Sequence, residues 1–466
     1  MRLGAAAGKH DATYVAGALG ARSDVRRAPL RWSHVYSVSS ASSLLRARRA
    51  LGRGRSGPRV SRTVVLLGLT SLFTDIAAEM VVTVLPLYLV YVGQFSPVAF
   101  GFVDGIQRGA AALVGLASGF AGDRFRRHKE VAAAGYGLSA VVKLGLATAG
   151  TALSAISALV LLDRIGKGIR TAPRDAMISM STPQEDLGAA FGVHRALDTI
   201  GAMLGPLLAF AILAIAANAF TSVFVVAFCI ALIGVGILVL LVPQPRPRGE
   251  DDAAATAEVA EAQGQRVSLR EALVVLGTPR FRALLVAVGA LALATASDAF
   301  IFLVLQDKLD LSLGLFPLLF VGMTGVYMVL AVPVGRIADR IGRGRVLLGG
   351  YALLLGVYGA LLAPLDGPLL VALALALMGT FYAATDGVLA AFGSAIVPEA
   401  VRGSGLALLN TTSGVAKLLS SIAFGALWTL TSTEIAIAVF GAALVVAMGL
   451  AALVFVRTRQ DVGDVA

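Results

Sequence analysis

Twelve apolar stretches, each long enough to cross a hydrocarbon layer of roughly 30 Å, follow one another along this chain. They lie near 64–92, 97–120, 131–149, 153–173, 189–214 and 220–242, then near 281–305, 312–335, 346–363, 369–391, 404–428 and 433–456. In chain order these are segments one to twelve. One such run is compatible with a signal or an anchor; a dozen requires a body embedded in lipid. Only 14% of the residues are charged, against about 25% in soluble domains. Backbone polar groups in lipid must be satisfied within the segment, so the runs are expected to be α-helices.

The formal charge of +11 does not mark a nucleic-acid binder. Residues 1–60 hold 12 Lys/Arg against 2 acids, whereas the remainder holds 27 against 26. The excess belongs to an Arg- and Ser-rich tail and not to a surface that tracks phosphates. That tail has no apolar signal-peptide stretch and reads as disorder or a misplaced start. Cys229 is the only cysteine, which excludes a disulfide framework or a thiolate metal site.

Loop charge orients the chain. One set of short loops carries Arg124, Arg126, Arg127 and Lys129, then Arg336, Arg340, Arg343 and Arg345; the intervening loops near 93–97, 150–154 and 215–219 carry no charge. The positive-inside rule places the basic loops, and with an even number of spans both termini, in the cytoplasm. The expected domains are a tail at 1–60, a six-helix bundle at 61–242, a linker with an amphipathic helix at 243–280, a second bundle at 281–456 and a short tail at 457–466.

The halves echo each other. GFAGDRFRRHK at 119–129 and GRIADRIGRGR at 335–345 both read G-x-x-x-D-R-x-x-R. TPQEDLGAAFG at 182–192 and VPEAVRGSGLA at 397–407 form a second pair. Duplicated six-helix halves with basic loops at matching positions resemble the Major Facilitator Superfamily, over about residues 61–460. The resemblance implies twelve transmembrane helices in two pseudo-symmetric bundles, an all-α integral membrane fold that works by alternating access. It assigns Gly119, Asp123, Arg124 and Arg127, with Gly335, Asp339, Arg340 and Arg343, to a cytoplasmic gate. The gate's carboxylates would meet helix N-termini near Gly403 and Gly188 when that side closes. Arg126 stands where the family commonly has glycine. In segment five, Gly192, Gly201, Gly205 and Pro206 resemble the motif of the family's antiporters, with Ala209 and Phe210 in place of its closing glycines. In segment four, Val160 replaces a frequent arginine and Arg164 follows four residues later, within a string, DRIGKGIRTAPRDA, that is similar to a prokaryotic subgroup.

Ionisable side chains inside a bilayer cost roughly 2.5–3.5 kcal/mol each on insertion scales, so they mark the interior. Asp75 and Glu79 lie one turn apart in segment one. Two such carboxylates repel, which favours a proton on one of them, and similar acids serve proton coupling in family antiporters. Asp104, Arg108, Lys143, Asp163, Arg164 and Lys167, with Asp298, Asp386 and Asn410 from the second half, are expected to line the substrate cavity. Arg108 and Lys143 are the candidates for an anionic group on the substrate. Arg170, Arg174, Arg195 and Asp198 are expected to form an ion-pair network near the cytoplasmic end. His194 and Lys417 are further interior charges.

No phosphate-binding loop or HExxH helix is present, so neither cofactor nor metal is expected, and no catalysis. The expected activity is proton-coupled export of a small amphipathic drug or metabolite by a monomer in the plasma (inner) membrane. Proton-coupled import of an organic anion, and a transport-inactive receptor or assembly protein of the same fold, are the alternatives. The expected partners are the solute, protons and lipid, with no nucleic acid.

Overall fold

A computed structural model describes residues 60–122, 127–183, 186–216, 218–244, 276–397 and 402–463. The expected tail at 1–60 (Val60 excepted), most of the linker, Asp123, Arg124 and Arg126 lie outside them. The described chain is helical, with no strand among the described residues. The first half forms α1 (Arg62–Val92), α2 (Pro97–Gly122), α3 (His128–Thr148), α4 (Leu153–Met180), α5 (Leu187–Ile215) and α6 (Phe220–Leu241). The second half repeats the pattern with α7 in two pieces (Pro279–Leu293 and Asp298–Leu309), α8 (Phe316–Ile341) and α9 (Arg343–Leu362). Then follow α10 in two pieces (Gly367–Thr385 and Val388–Ile396), α11 (Arg402–Leu430) and α12 (Thr433–Gly463).

Ten of the twelve are long and apolar enough to cross a membrane on composition alone. α4 is not, because Asp163, Arg164, Lys167, Arg170, Arg174 and Asp175 all lie on it. It is held by its neighbours instead. Gly135 of α3 and Gly166 of α4 face each other so closely that a Cβ on either would meet the other's carbonyl oxygen at 2.7–2.8 Å. Small residues that allow such backbone approach are the usual means of packing helices in lipid.

The two halves use one packing scheme. α1 packs on α5 and α6, α4 on α2 and α3, and α3 on α6. Adding six to each number gives the pairs observed in the second half: α7 on α11 and α12, α10 on α8 and α9, and α9 on α12. The joints between halves, α2 with α11 and α5 with α8, are related by the same rule. That is the twelve-helix, pseudo-symmetric arrangement expected from the sequence.

Candidate functional site

The face bearing the start of α1, the end of α12 and the 335–345 loop is here the basic face; α2 starts on the opposite face. The bundles meet on that opposite face. Gly101, Gly105 and Gly109 of α2 lie against the backbone of Ser421, Leu418 and Gly414 of α11, and Gly425 lies against Pro97. A Cβ at Gly105 would sit 2.9 Å from the Leu418 carbonyl oxygen. Phe300 fills the seam, its ring centroid 4.7 Å from Phe100 and 4.8 Å from Phe424. At the far end of α5, Leu213 approaches Gly314 just before α8. On the basic face, Gly188 and Gly335 look onto open space. On the opposite face the bundles are therefore in close backbone contact.

Charge joins the bundles at mid-depth. Arg108 donates from Nε to Asp104 one turn away, at 3.2 Å, and from Nη2 to Asp298 of α7 at 3.3 Å. Ser421 donates to Asp104 at 2.6 Å and Tyr382 to Asp298 at 2.5 Å, so both carboxylates are shared across helices. Arg108, Gln107, Ala299 and Phe320 line a narrow cavity beside this bridge. Asp298 owes its place to a break in α7. Ser297 caps the second half-helix by accepting from Phe300 N–H, the local chemistry that starts a helix. The freed backbone is satisfied by side chains: the Ala296 N–H donates to Tyr358 Oη at 2.8 Å, Tyr358 donates to the Ala294 carbonyl, and Ser420 donates to that of Thr295. Interrupted backbone inside a membrane requires such partners. α10 breaks likewise at Asp386 and Gly387; Asp386 is exposed and accepts from Tyr327 at 3.3 Å, and Asn410 is exposed too.

The first bundle holds a second network. Gly201 and Gly205 bring α5 onto α1, where a Cβ at Gly201 would meet the Leu72 carbonyl at 2.6 Å and one at Gly205 would meet Glu79 Cβ at 2.7 Å. Pro206 follows in the same buried stripe of α5 as Gly201 and Gly205. Asp75 then faces Arg170 of α4 at 3.7 Å, and Arg170 lies over the Tyr136 ring at 4.4 Å. Asp163 binds Arg164 at 2.6 Å and Lys143 at 3.5 Å. Glu79, Lys167 and Lys417 make no ion pair among the described residues. The charges around Glu79 are those of Lys167, Asp75, Arg164 and Asp163; those around Lys417 are Arg108, Asp298 and Asp386.

Several expected groupings divide differently. Arg108 and Lys143, the candidates for a substrate anion, are engaged by Asp104, Asp298 and Asp163, because a cation in low dielectric takes the nearest carboxylate. The four-residue network splits: Arg195 pairs with Asp198 at 3.8 Å, whereas Arg170 turns to Asp75 and Arg174 to Asp175. Of the gate residues, Asp339 is 67% exposed and among the described residues bonds only Arg343, which also donates to the Ala391 carbonyl. Arg340 is exposed and Arg127 precedes α3 on the surface. Among the described residues Asp339 makes no bond to the α5 N-terminus. Asp175, Tyr382, Ser421 and Tyr358 are the site residues that charge pattern alone did not single out. The Ser297-Asp298 pair, with its helix-start chemistry, was the available signal for the break.

The sequence model of the Major Facilitator Superfamily matches residues 67–326 and 286–465. An uncharacterized MFS-type transporter of Methanocaldococcus jannaschii is 30% identical over 399 residues, which cover 84% of this chain and 94% of that protein. An uncharacterized protein of Mycobacterium tuberculosis is 37% identical over 174 residues, 37% of this chain and 42% of that one. Among solved structures, the nucleoside transporter NupG superposes with a TM-score of 0.69 at 16% identity, covering 85% of this chain and 99% of that one. A POT family transporter in complex with 5-aminolevulinic acid gives a TM-score of 0.69 at 11% identity, covering 88% and 98%.

Proposed function

The chain belongs to the Major Facilitator Superfamily, and we propose that it is a proton-coupled carrier that exports a small amphipathic molecule by alternating access. Its basic face lies in the cytoplasm of a cell whose plasma membrane it spans, and the α2–α11 seam lies toward the outside.

The observation that carries the coupling is the contrast between Asp75 and Glu79. Asp75 has Arg170 as counter-ion, whereas Glu79, one turn deeper, has no ion pair among the described residues. A bare carboxylate at that depth is costly, and a proton removes the charge. Gly201 and Gly205 lie directly behind the two acids, so the antiporter-like motif of α5 shapes the helix that carries them. Export rests on that motif.

Vesicles loaded with a pH-sensitive dye test the direction. Amphipathic drugs and metabolites are offered to inverted and right-side-out vesicles under an imposed pH gradient. An exporter couples proton movement to uptake in inverted vesicles. Uptake only in right-side-out vesicles, along the proton gradient, points to the second reading, symport of an organic anion. Lys167 and Lys417 favour that reading, since neither cation has a counter-ion within pairing distance among the described residues. The Glu79→Gln carrier exchanging solute with unaltered proton movement would end the coupling assignment.

A further inference from the structure

A column of titratable side chains runs along the α1–α5 seam. The two helices run parallel in a four-residue register: Gly68 lies against Leu197, Gly201 against Leu72 and Asp75, and Gly205 against Ile76 and Glu79. From the basic face toward mid-membrane, the seam therefore passes His194, Asp198, Asp75 and Glu79. His194 and Asp198 are one helical turn apart on α5, as are Asp75 and Glu79 on α1, and Gly201, three residues beyond Asp198, lies against Asp75.

The lower pair is unusual in its bonding. His194 is fully buried, and neither ring nitrogen has a hydrogen-bond partner among the described residues. Its Nε2 stops 3.6 Å from Asp198 Oδ2. The other carboxylate oxygen, Oδ1, is also buried without a partner. Buried polar atoms are ordinarily satisfied, and three exceptions on two adjacent side chains ask for a reason. The charged groups facing the pair are Asp75 from α1, Arg174 and Asp175 from α4, and Arg195 from α5 itself. Arg174 is held by Asp175 at 2.9 Å, and Arg195 reaches outward with 54% of its side chain exposed.

We propose that Asp198, with His194 as its positioning residue, is the cytoplasmic end of a proton path that runs up the α1–α5 seam to Glu79. The proposal rests on the coupling role assigned above to Asp75 and Glu79. A neutral imidazole has one N–H donor and one bare acceptor nitrogen, so it can bond Asp198 in either state. The bare nitrogen accepts from the carboxylic acid, and a half-turn of the ring presents the N–H to the carboxylate without adding or removing a ring proton. A proton landing on an Asp198 oxygen forms an O–H bond there. Onward transfer breaks that bond as one forms on Asp75, and a second exchange carries the proton to Glu79. While Asp75 holds the proton its attraction for Arg170 falls, which links the path to α4 without involving Arg108 or Asp298.

The proton itself is the probe. Full-length protein in liposomes is given a pH jump, and infrared difference spectra follow the carbonyl stretch of protonated carboxyl groups. A band lost in Glu79→Gln identifies Glu79. In Asp198→Asn that band should persist but take up its proton at least about tenfold more slowly; Asp198→Glu should restore the rate, and His194→Phe should slow it. A Glu79 band that exchanges at the wild-type rate in both Asp198→Asn and His194→Phe overturns the path alone. A spectrum unchanged by Glu79→Gln removes the coupling role and the path together. Size-exclusion profiles exclude misfolding, and the Glu substitution keeps the test decisive should the Asn variant fail to fold.

Discussion

The Nη2 of Arg108 on α2 lies 3.3 Å from Oδ2 of Asp298 on α7, so one guanidinium ties the first bundle to the second at the depth where α7 is broken. The same guanidinium holds Asp104, and Ser421 of α11 reaches Asp104 from the other bundle. Three helices are joined through two carboxylates and one cation.

Removing that cation leaves both carboxylates uncompensated. Breaking a buried pair from one side costs roughly 3–5 kcal/mol. Arg108→Ala should therefore lower the thermal unfolding midpoint sharply, and the Arg108→Ala/Asp298→Ala double variant should recover part of the loss. A coupling energy near zero in that cycle would mean that the contact is incidental.

Lys143 and Asp163 invite the same comparison inside one bundle. Lys143 is buried, with Asp163 at 3.5 Å and the Ser139 carbonyl at 2.9 Å. Lys143→Met alone strands Asp163 with Arg164 as its remaining partner, and Asp163→Leu alone strands both cations. We expect Asp163→Leu to be the more damaging substitution, read as yield of monodisperse protein and unfolding midpoint.

Two glycines of the first bundle should respond oppositely to alanine. Gly205→Ala drives a Cβ into the α1 backbone, within 2.6 Å of the Ile76 carbonyl, and overpacking of this kind costs roughly 1–3 kcal/mol. Gly137 on α3 has nothing within 4 Å, so Gly137→Ala should be neutral or stabilise by about 0.5–1 kcal/mol through helix propensity. Thermal denaturation of both in one detergent gives the comparison.

The break in α7 depends on one hydroxyl. Tyr358→Phe deprives the Ala296 N–H and the Ala294 carbonyl of their partner while leaving the ring in place. An unsatisfied buried group costs roughly 1–3 kcal/mol. Hydrogen exchange at Ala296 should accelerate in this variant, with little change at Leu284 in the preceding half-helix.

Bulk in the α2–α11 seam should shift the conformational balance. With Cys229 replaced by serine, a cysteine at Phe100, which is buried in the seam, reports opening of that face. Gly105→Leu should raise its maleimide labelling, because a side chain there meets the Leu418 backbone. Labelling that stays at the background level would show the bundles tolerate the insertion without separating.

How much of this was legible in the sequence depended on the range of the signal. Spans were legible because hydropathy is local and twenty apolar residues need no partner to be recognised. The Asp104–Arg108 pair was legible for the same reason, being one helical turn. Its extension to Asp298 joins residues 190 positions apart and needs the fold. Gly101, Gly105 and Gly109 were visible as small residues on one stripe, yet nothing local says that α11 is what they meet. Asp175 was hidden by its neighbour: Arg174-Asp175 reads as a charged helix end until packing buries both. Tyr382 and Tyr358 carry no formal charge, and their hydroxyls stand out only once α7 is seen to be interrupted.

The α2–α11 contact has a mechanical corollary. Where glycine lets two main chains touch, swinging a side chain aside does not part them, and the barrier is as stiff as the helices that form it. Passage through that wall requires whole rods to tilt apart together, so the solute meets a hinged panel and not a turnstile.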